Sequence, residues 1–113
     1  MPGSRRDPGF IIIKMMKNNK IITLVKMTAQ PEFMDTVLAH ARETRQIIQA
    51  EEGCESFTLT TRVEAPNTLV LFAVYKSKEA YDWHLEQDYL KAFFSFLGGK
   101  LTGKPEVDYL EEI

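Results

Sequence analysis

The chain has one cysteine, Cys54, so no disulfide can form within it and a metal site built on several thiolates is excluded. A reducing, cytoplasmic setting fits that usage best. There are two histidines, His40 and His84, and no spacing in the chain gathers three ligands around them, so no metal is expected. The glycines Gly3, Gly9, Gly53, Gly98, Gly99 and Gly103 fall in no phosphate-cradling order, which removes dinucleotide-binding and P-loop readings. Positive charge is not in excess: 14 Lys and Arg stand against 16 Asp and Glu, so the basic surface that neutralises nucleic-acid phosphates is missing. The longest early apolar run, Phe10 to Ile13, is far short of the roughly 20 residues that cross a bilayer, and no small-residue cleavage site follows it. Neither a membrane anchor nor a signal peptide is expected. No serine is framed as a nucleophile elbow.

What is present is an ordinary globular composition, 44% hydrophobic and 27% charged over 113 residues, which is enough for one domain. Residues 1–19 open with nine residues that combine Pro, Gly, Ser and two arginines with no periodicity. They read as an N-terminal tail or leader, an appended remnant or an accessory strand, with Met15 and Met16 as alternative starts. The domain is expected over residues 20–113.

Ile21 to Met27 is β-branched and apolar at nearly every position, as in a strand covered on both faces. Pro31 suits a first helical position, and Phe33, Met34, Val37, Leu38, Ala41 and Ile48 share one arc of an amphipathic helix that Gly53 would stop. Phe57, Leu59 and Val63 alternate with polar residues, Glu64 to Asn67 is turn chemistry, and Thr68 to Lys76 returns as a second strand of a hairpin. Ser77 is a plausible cap for a short helix running to about Gln87. Asp88 would cap another, carrying Leu90, Phe93, Phe94 and Leu97 before Gly98-Gly99. Glu106 to Ile113 alternates weakly as an edge strand.

The order β-α-β-β-α-β, with right-handed crossovers, predicts an α+β, ferredoxin-like antiparallel sheet with helices on one face. Strands one and three are apolar on both faces, and helices on one side cover only one of them. The simplest cover for the other face is a second copy, so a homodimer with sheets packed face to face is expected. The alternative cover is the N-terminal apolar segment.

His84 follows an apolar strand and sits amid Tyr75, Tyr81, Trp83, Tyr89, Phe93 and Phe94. If it shares a face with Ala80, the imidazole points toward the sheet, where desolvation would favour a neutral base. The competing reading is a structural histidine. His40 lies at the margin of the long helix's apolar arc and reads as a boundary residue. Arg45 lies inside that arc, either snorkelling or holding an anionic substrate oxygen. Cys54 reads as small-residue packing.

The stretches EEGCESFTL (Glu51 to Leu59), LVLFAVYKSKEAYDWH (Leu69 to His84) and DYLKAF (Asp88 to Phe93) resemble the antibiotic biosynthesis monooxygenase family of small dimeric α+β barrels. The resemblance covers Lys20 to Ile113. It implies a cofactor-free enzyme acting with O₂ on a small aromatic, quinol-like or polyketide-like molecule, or an isomerase of a small hydroxyketone, or a non-catalytic ligand-binding dimer. The helix histidine of the quinol-oxygenase and isomerase branches corresponds to His84, the catalytic candidate. Trp83, Tyr75, Arg45, Phe57 and Phe93 are the candidate substrate-binding residues, with Thr58 as a further polar donor. Haem-degrading relatives carry an asparagine on strand one and an iron-ligating histidine where this chain has Phe94, so that activity is disfavoured.

Overall fold

β1 (Ile21–Thr28) forms the middle of the sheet because both of its faces are apolar, and it pairs antiparallel on both edges. The computed structural model describes residues 19–113; the expected tail or leader at residues 1–19, with the Phe10–Ile13 run and both alternative starts, lies outside them except for its last residue, Asn19. β3 (Ala65–Tyr75) lies on one side of β1 and β4 (Glu106–Leu110) on the other, with β2 (Cys54–Arg62) outside β3. The order β2-β3-β1-β4 is the expected ferredoxin-like α+β arrangement.

A short 3₁₀ turn at Pro31–Phe33 leads into α1 (Met34–Gln49), which buries Val37, Ala41, Thr44 and Ile48. α2 (Lys78–Leu85) starts as expected at Ser77, whose Oγ accepts the Ala80 N–H at 3.0 Å. α3 (Asp88–Leu97) buries Leu90, Phe93 and Leu97. Phe93 and Leu97 pack with Met27, Val37, Ala41, Leu69 and Leu71 into the main core. Burying a side chain such as Phe93 contributes about 1.5–3 kcal/mol.

Local chemistry departs from expectation at several points. The β2–β3 turn is Val63-Glu64 alone, since Arg62 already pairs with Ala65; Ala65 and Pro66 belong to the strand, and Val63 is a fully exposed tip rather than a strand residue. Gly53 does not stop α1, which ends four residues earlier. Its φ is not positive, whereas Gly99 (φ +77°) takes the left-handed conformation after α3, as the Gly98-Gly99 pair suggested. α2 stops at Leu85. Asp88 is the first residue of α3 rather than its cap, and Gln87 occupies the cap position without a capping side-chain bond. Phe94 leaves the α3 core stripe and is largely exposed.

Side chains on β1 and β3 alternate cleanly. Ile21, Thr23, Val25 and Met27, with Leu69, Leu71, Ala73 and Tyr75, face the helices. Ile22, Leu24, Val70, Phe72 and Val74 face the other way, and Leu110 of β4 joins them opposite Ile22. Phe72 is 36% exposed at the centre of this apolar outer face. Among the described residues no helix is long and apolar enough to cross a membrane.

Candidate functional site

Between the sheet and the helices lies a cavity of about 120 Å³. Its origin can be read from the strand register. Tyr109, Thr23, Ala73 and Phe57 form one row across the four strands, and the two central members are small. Ala41 and Thr44 of α1 are also small and also line the space, so the layers cannot fill it with side chains. Val25, Ile48, Leu71, Leu90, Phe93 and Phe57 make the remaining wall mainly apolar.

His84 lines one end of this cavity and is 4% exposed. Its Nε2 lies 3.1 Å from the Tyr75 hydroxyl, and its Nδ1 lies 2.8 Å from Oε2 of Glu51. The Tyr89 hydroxyl donates to the same carboxylate oxygen at 2.6 Å. Four elements therefore meet here: the end of β3 (Tyr75), the α1–β2 turn (Glu51), α2 (His84) and the first turn of α3 (Tyr89). The carboxylate accepts only, so Nδ1 carries a proton and donates it, which leaves Nε2 as the atom facing Tyr75. A proton gained at Nε2 would be met by the Glu51 carboxylate behind the ring, the same division of labour that a carboxylate provides behind a general-base histidine elsewhere.

The aromatic hydroxyls are held protonated. Burial, with the Glu51 charge among the smaller causes, pushes the Tyr75 phenol well above its ordinary range. Burial and then the bond to Tyr109 (3.0 Å between hydroxyls) raise Tyr81, and burial and then the bond to Glu51 raise Tyr89. Tyr75 is thus a hydrogen-bond donor or acceptor and not a phenolate base. The Cys54 thiol is raised by burial and by Glu51, which fits its packing role.

The imidazole does point toward the sheet, and its surroundings are more polar than the aromatic neighbourhood implied. The expected environment was desolvating; the structure adds a buried carboxylate at hydrogen-bond distance. Among the other candidates, Tyr75, Arg45, Phe57 and Phe93 line the cavity together with His84. Trp83 does not. It is 51% exposed, one position round the helix from His84, and lines a surface depression with Glu52, Lys76 and Glu79. Thr58 is exposed and pairs with Phe72, on the face of the sheet away from the cavity. His40 is half-buried, stacked on Phe96 with ring centroids 4.2 Å apart, in keeping with a boundary residue. Glu51 and Tyr89 were not singled out from the sequence. Glu51 is 33 residues from His84, and the one signal for it is its place in the EEGC turn.

Fold and site together define a small ferredoxin-like α+β domain whose buried imidazole–carboxylate pair closes one end of an apolar cavity. The chain belongs to the antibiotic biosynthesis monooxygenase family, whose model matches residues 20–95. A protein classed as an antibiotic biosynthesis monooxygenase from Caulobacter crescentus is similar in structure with a TM-score of 0.82 at 20% identity, covering 91% of this chain and 98% of its own. One of the same description from Nitrosomonas europaea gives a TM-score of 0.81 at 13% identity, covering 87% and 94%. A Mycobacterium tuberculosis protein gives 0.78 at 23% identity, covering 83% and 95%. At such identities the likeness speaks for the fold. No curated protein matches the chain in sequence.

Proposed function

We propose that the protein is a cofactor-independent monooxygenase of a small quinol-like or polyketide-like aromatic, with His84 as proton acceptor and the homodimer as the working unit. One observation carries this reading: the Glu51–His84–Tyr75 chain opens onto a cavity with apolar walls. An activated C–H or phenolic O–H of the substrate gives its proton to Nε2, while the Tyr75 hydroxyl turns to donate to the developing oxyanion. The resulting carbanion passes one electron to O₂, and the radical pair closes to a peroxide C–O bond. The proton on His84 returns to the peroxide, which loses water. For a CH₂ carbon the sum is CH₂ + O₂ → C=O + H₂O, with all four electrons drawn from the substrate. The apolar walls support the reading by excluding water from the carbanion.

The family contributes the oxygenase half of this reading; the outer apolar face around Phe72 supports the dimer. Oxygen uptake with a panel of hydroquinones and anthrones tests the function. One O₂ consumed per product, lost in His84→Ala and in the bulkier His84→Gln, is the expected result. Turnover with unchanged dissolved O₂ would instead establish the isomerase. Ligand-induced stabilisation that survives His84→Ala, with no turnover, would leave a binding protein.

A further inference from the structure

Two polar groups on the cavity wall have no use in the proton-transfer chain. Thr23 is 4% exposed at the centre of the floor, and its hydroxyl has no hydrogen-bond partner among the described residues. Arg45, half-buried on α1, lines the same cavity and makes neither an ion pair nor a hydrogen bond among the described residues. Buried hydroxyls are ordinarily satisfied, and a cation beside an apolar void ordinarily finds a carboxylate. Among the described residues no acidic side chain lines the cavity; Glu51, the acid of the site, is taken up by His84 and Tyr89.

We propose that this cavity selects aromatic molecules bearing an anionic oxygen group, with Arg45 binding that group and the Thr23 hydroxyl satisfied by the bound molecule. The inference rests on the cavity being the substrate site of the reading above. Arg45 reaches this cavity from α1 and His84 from α2, so both line the same space. A ring spanning the cavity therefore offers its anionic group to Arg45 and its reacting oxygen to His84 and Tyr75. The guanidinium fork matches a carboxylate bidentately, and the surrounding apolar wall strengthens that contact relative to water. Thr23, on the floor of the same cavity, is left to donate to a ring substituent.

The test compares two molecules of nearly equal size that differ in charge at neutral pH, 4-hydroxybenzoate and 4-hydroxybenzamide. Their affinities for the full-length protein are read from shifts of backbone amide resonances on titration. The expected result is that the acid binds about tenfold more tightly than the amide, as a charge-assisted bond in a half-buried site implies. Arg45→Gln should remove that preference and leave the amide's affinity unchanged. Thr23→Val, nearly isosteric, should weaken both molecules by a few-fold and raise the melting temperature of the ligand-free protein, because it removes an unsatisfied hydroxyl. Ala73→Leu should abolish binding of both by filling the floor.

Equal affinity for acid and amide overturns the proposal, as does a preference that survives Arg45→Gln or the absence of binding by either. Binding that persists in a folded Ala73→Leu variant moves the site elsewhere and also overturns it. Unchanged binding in Thr23→Val strikes Thr23 from the site. None of these readouts needs turnover. Selective binding of the acid without oxygen uptake from any quinol would sink the oxygenase reading alone, and uptake from neutral quinols without selective binding would sink this one alone.

Discussion

Gly53 packs so tightly against Ala80 that a Cβ on residue 53 would lie 2.3 Å from the Ala80 Cβ. The glycine is needed for this approach of the α1–β2 turn to α2, and the approach brings Glu51 and His84, each near the contact in sequence, to hydrogen-bond distance. The Lys76 N–H bond to the Gly53 carbonyl, 2.9 Å, holds the turn from the other side.

Gly53→Ala is therefore expected to destabilise the protein by about 1–3 kcal/mol, the range for forced overpacking. Adding Ala80→Gly should recover part of that loss in spite of its own cost in a helix, about 1 kcal/mol. A double-mutant cycle by urea unfolding measures the coupling, and simple additivity of the two losses would refute the contact.

Removing the imidazole leaves the Glu51 carboxylate buried with Tyr89 as its remaining partner. His84→Ala should cost on the order of 3–5 kcal/mol. The double variant Glu51→Gln, His84→Ala should be distinctly more stable than His84→Ala alone, since no charge is then stranded. Equal stabilities by chemical denaturation would mean that the carboxylate finds other partners.

Stability should fall steeply in alkali. Tyr75 and Tyr81 have folded pKa values raised chiefly by burial, so the unfolded chain releases their protons first, from about pH 10. Their contribution is fully present below that pH and is lost as pH climbs from there toward the folded values. Tyrosinate absorbance should consequently rise together with loss of far-ultraviolet dichroism. Tyr75→Phe should make stability fall less steeply with pH. Ionisation of all four tyrosines well before unfolding would contradict the burial argument.

The outer face carrying Ile22, Leu24, Val70, Phe72, Val74 and Leu110 is expected to meet its counterpart in a second chain. Sedimentation at micromolar concentration should give about twice 13.0 kDa. Phe72→Lys, which places a charge at the centre of this face, should shift the protein to monomer without unfolding the helix-facing core. A wild-type monomer would refute the dimer.

The elements were legible because their signals are local. Two-residue alternation marks β2, apolar and β-branched runs mark β1 and β3, apolar spacing marks α1 and α3, and Ser77 announces α2. The β2–β3 turn was misplaced because Ala65 and Pro66 resemble turn residues; an edge-forming hairpin end accepts a proline that a central strand position would not. Gly53 was read as a helix stop because sequence shows that a glycine is present and not which of its two properties, conformational freedom or missing bulk, is in use. Trp83 is a pocket candidate through the family resemblance and Thr58 as a polar donor, and a single step round a helix or along a strand sends each to another surface.

By itself the sequence determined the α+β order of elements, the two apolar faces of the central strands and the presence of an imidazole among aromatics, since each follows from short-range periodicity and residue chemistry. Only the tertiary structure decided that Glu51 and Tyr89 stand behind that imidazole, and that Thr23, Ala73 and Ala41 coincide to leave a cavity. Those relationships join residues tens of positions apart. They depend on strand register and on how closely two layers approach, quantities that no local stretch of chain encodes.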